Sequence, residues 1–207
     1  MADADRFLLD VPDSWAQLDL TGSALAEART TALALARDAR EQARINDLFR
    51  QAREVSRAAR RRGALFAAGT ATQYDDGLFM GYAMVFAVTA PPGRELTLPV
   101  LAAQLSPPAG AQGSAKQPQG RTVSAVELPG IGQVARITGI EDAPLTADIV
   151  VRMVTMHTVV PIPGSPRDYL VVTCASPNLP LADEVYELFD AISGTLRFLP
   201  GRAEAVS

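Results

Sequence analysis

The two residues of this chain best suited to catalysis are His157 and Cys174, its only histidine and its only cysteine. A thiolate activated by a neighbouring imidazole is a common enzymatic nucleophile. The two residues lie in apolar segments on either side of a turn at Gly164–Arg167, and a hairpin there places His157 opposite residues 171–173, within reach of Cys174. Both positions nevertheless lie in strand-like apolar sequence, and no third group that would orient the imidazole is identified. Core packing is the favoured interpretation, and a Cys-His enzyme is the minor alternative.

The second constellation that could bind a ligand is a cluster of arginines: Arg50, Arg53, Arg57, Arg60, Arg61 and Arg62. Such a concentration of guanidinium groups suits an acidic peptide, a phosphate or nucleic acid. Cations near a helix C-terminus are also stabilised by the helix dipole. Asp47 is spaced to pair with Arg50 at i+3, and Glu54 has the same spacing to Arg57. A solvated helix face is therefore the favoured interpretation, with a partner-binding surface as the alternative.

Carboxylates occur in two short groups, and neither group predicts acid–base or metal chemistry. Asp75 and Asp76 precede a glycine, which is ordinary turn chemistry. Asp183, Glu184 and Glu187 suit the first turns of a helix, where the dipole favours negative charge. The chain has no phosphate-binding glycine loop and no nucleophile elbow, and a lone histidine and cysteine cannot build a tetrahedral metal site. The sequence therefore predicts no catalytic site, no metal and no cofactor.

Length and composition indicate one domain spanning residues 1–207, because 48% hydrophobic residues can fill one core. The net charge of −4 argues against nucleic acid as a partner. No apolar run approaches the roughly 18 to 20 residues that a membrane span needs, and the start MADADRFLLD lacks the pattern of a signal peptide. We therefore expect a cytoplasmic protein. Lys116 is the only lysine among 19 basic residues, a bias typical of GC-rich actinobacterial genomes.

Hydrophobic periodicity predicts helices early and late in the chain. A segment from Ser23 to Arg62 carries apolar residues at spacings of three and four, and a break near Ala36 to Arg40 would divide it into two helices. A last helix is expected from about Pro180 to Ser193, with Leu181 in its buried stripe. The stretch before the first helix, from Phe7 to Leu20, is typical of a strand or hairpin.

The region between the helices predicts a central antiparallel sheet built from sequential hairpins. Turns are indicated at Asp75–Gly77, Pro129–Gly132 and Gly164–Arg167. The strand from Ile149 to Val160 is apolar on both alternating sides, as expected of a central strand covered on both faces. The predicted class is α+β, with the sheet covered by the long N-terminal helical segment and the C-terminal helix. Segments expected to be flexible are residues 1–6, 106–120 and 200–207.

The order of these elements resembles a known family. The opening LDVPDSWAQLDL, the run of hairpins and the closing DYLVVTCASPNLPLADEVYELFDAISGTLRF are similar in pattern to the PsbP-like α/β/α sandwich proteins, whose bacterial relatives include secretion chaperones and mycobacterial lipoproteins. The resemblance implies a sheet between helices and the binding of proteins or hydrophobic segments without catalysis. The chain departs from those relatives in its long arginine-rich helix and in lacking the lipoprotein signal.

The favoured function is a non-enzymatic accessory or adaptor protein that binds another polypeptide, with a chaperone-like role in secretion as its narrower form. The partner is unidentified and a homodimer is left open. The alternative is a binder of small, lipid-like apolar molecules in a cavity between sheet and helices. The residues expected to line that cavity are Phe79, Met84, Phe86, Met153 and Met156.

Overall fold

The structure is a computed structural model that describes residues 6–21, 23–75, 77–93, 100, 121–144 and 150–199. Its helices are α1 (Ser23–Leu35), α2 (Ala39–Arg61) and α3 (Ala182–Gly194), with a 3-10 turn at Leu179–Leu181. Its strands are β1 (Phe7–Leu8), β2 (Ala16–Gln17), β3 (Ala64–Tyr74), β4 (Gly77–Thr89), β5 (Thr122–Leu128), β6 (Gly132–Pro144), β7 (Val150–Pro161), β8 (Asp168–Ser176) and β9 (Arg197–Phe198). The predicted α+β class is confirmed. Apart from Arg6, the segments predicted to be flexible lie outside the described residues.

Seven of these strands form one antiparallel sheet in the order β2-β3-β4-β8-β7-β6-β5. The three predicted hairpins are present as β3–β4, β5–β6 and β7–β8. They lie side by side because β4 pairs with β8 and β6 pairs with β7. Strand β7, which matches the predicted central strand, has a neighbour on both sides, so its polar backbone groups find partners along most of its length.

The two faces of the sheet are unlike because successive residues of a strand point to opposite sides. The core face carries Val85, Cys174 and Met156, and α3 packs on it over β7 and β8. The side chains that α3 buries there are Val185, Phe189 and Ile192. These residues form the main hydrophobic core of the protein.

The outer face carries the row Met84, Thr173, His157 and Ile137, which are register partners across β4, β8, β7 and β6. These side chains are half-buried. A smaller buried cluster on the same face comprises Ala90, Ala135, Val159 and Tyr169. The sheet therefore has one face that α3 buries over β7 and β8, and one face on which apolar and polar side chains mix.

The N-terminal helical segment is divided into α1 and α2 by residues 36–38, within the stretch where a break was predicted. Asp38 is the N-cap of α2, and its carboxylate accepts a hydrogen bond from the backbone N–H of Glu41 at 2.7 Å. The Glu41 carboxylate in turn accepts from the backbone N–H of Arg37 at 2.8 Å. The pattern is similar to a capping box, except that Glu41 bonds the N–H of the residue before the N-cap; it satisfies two N–H groups at the start of the helix. Helix α2 contacts α1 and β3, the strand that follows it.

The stretch before α1, predicted to be a strand or hairpin, forms two short strands that pair with other segments and not with each other. Strand β1 pairs with β9, and β2 pairs with β3, so the chain start is tied to two distant segments. Trp15 is 7% exposed and its ring lies over Gly81. A Cβ added at Gly81 would lie 3.3 Å from the ring of Trp15 and 3.5 Å from that of Phe79, so a glycine there permits the close approach.

The C-terminal helix begins later than predicted. Leu179–Leu181 form a 3-10 turn, and α3 starts at Ala182. Leu181 was predicted to be buried, but its side chain is 42% exposed. The reason is geometric, because the tighter winding of a 3-10 turn rotates its residues away from the stripe that an α-helix would continue.

Candidate functional site

The structure separates His157 from Cys174. His157 is the register partner of Thr173, within the range expected from the turn, whereas Cys174 is the partner of Met156. His157 therefore lies on the outer face and Cys174 on the core face, where it is fully buried. Burial raises the pKa of the Cys174 thiol to about 12, so the thiolate is scarce at neutral pH. The two residues form no nucleophilic pair.

His157 belongs instead to a polar network at the centre of the outer face. Its Nε2 lies 3.1 Å from Oε1 of Glu141, and its Nδ1 lies 3.0 Å from Oγ1 of Thr173. The Glu141 carboxylate also pairs with the Arg121 guanidinium at 2.9 Å. These bonds outweigh the opposing effect of burial, and the hydrogen bond from His157 is the largest cause that lowers the pKa of Glu141 to about 2.

This network has the order acid, imidazole, hydroxyl that hydrolases use, yet its setting does not suit acyl transfer. Thr173 lies within β8, which pairs with β4 on one side and β7 on the other. Backbone N–H groups in such a strand already serve the sheet ladder and are not available to stabilise an oxyanion. The network is therefore best explained as a set of polar side chains that pair with one another on a half-buried sheet face.

A concavity with exposed apolar walls lies between the tip of the β3–β4 hairpin and the start of α3, and we call it the groove. It encloses about 570 Å³. Its lining comprises Tyr74, Gly77, Leu78, Phe79, Asn178, Pro180, Leu181, Glu184, Val185 and Leu188. Tyr74, Leu78 and Leu181 remain 53%, 49% and 42% exposed, so the groove presents apolar side chains to solvent.

Asn178 holds the two walls of the groove together. Its side-chain amide donates to the carbonyl of Leu78 at 2.8 Å and accepts from the backbone N–H of Met80 at 2.9 Å. Ser176 adds a hydrogen bond from its hydroxyl to the carbonyl of Met80 at 2.6 Å. Strand β8 ends at Ser176, so the Asn178 side chain supplies the partners that a further strand residue would have given β4.

Glu184 places a negative charge in the lining of the groove. Asp183 and Glu187 are exposed on the same helix, and Asp75 is exposed in the turn at the hairpin tip. The sequence-based interpretation of these carboxylates as turn and helix-start residues agrees with their positions, and it missed that Glu184 lines a concavity. Only the tertiary arrangement of the hairpin tip and the start of α3 forms that concavity.

The arginine cluster lies on α2 and at its end, with Arg50, Arg57, Arg60, Arg61 and Arg62 exposed and Arg53 half-buried. Arg50 pairs with Asp47 as predicted, but Glu54 pairs with Arg50 rather than with Arg57. The i to i+4 direction lets both carboxylates reach the same guanidinium. These two ion pairs support the interpretation that the helix surface around Arg50 is a solvated face.

The residues expected to line a cavity for an apolar ligand do not share one cavity. Phe79 lies in the groove, Met156 is in the core, and Met84, Phe86 and Met153 lie on the outer face. The alternation of side chains along β4 and β7 divides them between faces.

The described ranges hold neither a cluster of metal ligands nor a membrane-spanning helix. Within those ranges, no group of three or more His, Cys, Asp or Glu side chains is placed to hold a metal ion. No helix in the same part of the chain is long and apolar enough to span a membrane.

Comparison with known proteins does not identify a family for this chain. No family model matches the chain, and no curated protein matches it. The chain is similar to the crystal structure of LpqN, a protein involved in cell envelope biogenesis of Mycobacterium tuberculosis, with a TM-score of 0.44 and 14% identity over 94% of this chain and 83% of that chain. A likeness this low carries no argument about function, and the resemblance to the PsbP-like proteins stays a prediction.

Proposed function

We propose that this protein is a non-enzymatic accessory protein that binds another polypeptide in the groove between the β3–β4 hairpin and α3. The observation that carries the proposal is the exposure of Tyr74, Leu78 and Leu181 around one concavity of about 570 Å³. Exposed apolar residues that cluster, unlike those scattered singly, mark interaction sites. The chaperone-like role in secretion is the narrower form of this proposal.

The construction of the groove supports binding rather than incidental exposure. Its floor is formed by Val185, which is 2% exposed and belongs to the core. Its walls are tied by the two hydrogen bonds of Asn178, which reduces the cost of ordering them when a partner binds. A tyrosine and two leucines on fixed backbone offer apolar area to a partner side chain at low entropic cost.

A small apolar molecule is the second candidate for the same groove. Its volume lies within the range of about 300 to 1,000 Å³ that is usual for small-molecule sites. However, such sites enclose most of a ligand, whereas the large side chains here remain about half exposed. This openness favours a polypeptide, which keeps one side in solvent.

The proposal can be tested by photo-crosslinking in cells that natively make the protein. A benzophenone amino acid replaces Leu181 in the groove, and the control replaces Val88, which lies at the other end of β4, about 33 Å from Leu78 along the strand, and is also exposed. We expect a discrete protein adduct from the Leu181 position and not from Val88. An adduct of lipid size would favour the second candidate, and no adduct, or the same adduct from both positions, would refute the proposal.

A further inference from the structure

The groove combines apolar walls with a negative side chain at its rim. Glu184 lines the groove and is exposed. In the described part of the chain, Glu184 forms no ion pair, whereas Asp190, farther along α3, pairs with Arg136. Among the described residues, no cation pairs with the Glu184 carboxylate, which can therefore meet a cation of a partner.

The helix dipole does not cancel this negative charge. The N-terminus of a helix carries an effective charge of about +0.5, whereas Asp183 and Glu184 in the first turn of α3 carry a full negative charge each. Carboxylates in this position are stabilised by the dipole and still leave a net negative charge at the start of α3, where Glu184 lines the groove.

We propose that the groove selects a polypeptide segment whose apolar side chains are flanked by lysine or arginine. This inference rests on the proposed function and specifies the chemistry of its partner. The apolar side chains of that segment enter between Leu78 and Leu181, and its cations meet Glu184 at the rim. The same rim disfavours acidic segments and the carboxylate or phosphate of an anionic lipid, because like charges at an interface are repelled.

The test uses the full-length protein and two labelled synthetic peptides that form amphipathic helices. The peptides share their length and leucine positions, and they carry lysine in one case and glutamate in the other at the remaining positions. Fluorescence anisotropy at about 50 mM salt, where screening is weak, measures their dissociation constants. We expect the lysine peptide to bind and the glutamate peptide to bind at least about tenfold more weakly.

Three variants locate the effect. Glu184→Lys is expected to weaken binding of the lysine peptide about fivefold or more, since an exposed pair is lost and a repulsion is added. Glu127→Lys makes the same change of net charge at an exposed position on β5 and is expected to leave binding unchanged. Leu181→Asp removes an apolar wall that is already exposed and is expected to abolish binding without unfolding the protein, which circular dichroism checks.

The inference is overturned if the two peptides bind equally, if Glu127→Lys weakens binding as much as Glu184→Lys, or if the lysine peptide does not bind. In each of these cases, a protein adduct formed at Leu181 in cells would still support the proposed function. The binding of a polypeptide in the groove and the selection of a basic segment can therefore be refuted independently.

Discussion

The core face and the outer face of the sheet are formed by the same strands but differ in how far their side chains are buried. Along β4, Ala83 and Val85 on the core face are 0% exposed, whereas Met80 and Val88 on the outer face are 42% and 37% exposed. The core face meets the apolar stripe of α3. The outer face is held by a polar network around His157 together with a small apolar cluster. The alternation of residues along a strand therefore specifies which side chains share a face. The helix that packs on the sheet then determines which face is shielded from solvent.

The largest expected contrast between the two faces is in thiol reactivity. Cys174 should react with iodoacetamide about 1,000-fold more slowly in the native protein than in urea, because it is fully buried and its pKa is raised to about 12. Moving the thiol one residue, in the double variant Thr173→Cys with Cys174→Ser, places it on the outer face and should restore rapid reaction. Mass spectrometry of the alkylated chain measures both rates, and equal rates would contradict the assignment of faces.

Removing an aromatic side chain from the core and one from the outer face should lower the free energy of unfolding by different amounts. Phe189→Ala deletes a side chain that is 0% exposed in the core and should lower the free energy of unfolding by about 3 to 5 kcal/mol. Phe86→Ala makes the same deletion on the half-buried outer face and should cost about 1 to 2 kcal/mol. Urea denaturation followed by circular dichroism gives both values. A cost for Phe86→Ala as large as that for Phe189→Ala would mean that the outer face is packed as a core.

The network on the outer face should make stability depend on pH. Glu141 has an ordinary pKa of 4.5 and a pKa of about 2 in the folded protein, so its ionised form favours folding above pH 4.5. This contribution falls as the pH decreases from about 4.5 to about 2.

Glu141→Gln should therefore lower the free energy of unfolding by about 1 kcal/mol at pH 7, a value that allows for partial exposure to solvent. The difference from the natural chain should shrink as the pH decreases through this window. Urea denaturation at a series of pH values measures the difference. Glu127→Gln, at an exposed position on β5, is the control; the network is refuted as a source of stability if both variants behave alike.

The smallest effect on the free energy of unfolding is expected at Asn178, just beyond the end of β8. Asn178→Ala leaves the carbonyl of Leu78 and the N–H of Met80 without their protein partner, but both groups are near solvent, so the cost should be about 0.5 to 1 kcal/mol. Asn178→Asp keeps the acceptor for Met80 and loses the donor to Leu78, and should cost less. Faster amide exchange of Met80 in the alanine variant, followed by NMR, would locate the change, and unchanged exchange would contradict the role of Asn178.

Local patterns predicted the elements of this fold well. The turns at Asp75–Gly77 and Gly164–Arg167 were visible as sequence signals, and they fixed hairpins and even placed His157 opposite Thr173 within two residues. The orientation of Cys174 was harder to predict, because a shift of one residue in a strand moves a side chain to the other face. Glu141 and Arg121 entered the network through the register of β6 with its sequence neighbours β5 and β7, which local patterns did not specify.

The groove could not be predicted from sequence patterns, for a similar reason. Leu181 continued the apolar stripe of the last helix in sequence, and only the 3-10 turn before α3 exposes it. Leu78 lies at a hairpin tip, where exposure of an apolar residue carries no signal by itself. The two residues line one groove because Asn178, just before the 3-10 turn, is hydrogen-bonded to the hairpin.

The packing of Trp15 over Gly81 has a practical consequence for optical spectroscopy. Trp15 is the only tryptophan of the chain, so all indole emission comes from one site. Gly81 also lies against the ring of Phe79, which lines the groove, and this places the fluorophore just behind the groove wall. A shift in its emission maximum or in its quenching by acrylamide would report occupancy of the groove without a label, and the same signal would follow detachment of the chain start from the sheet.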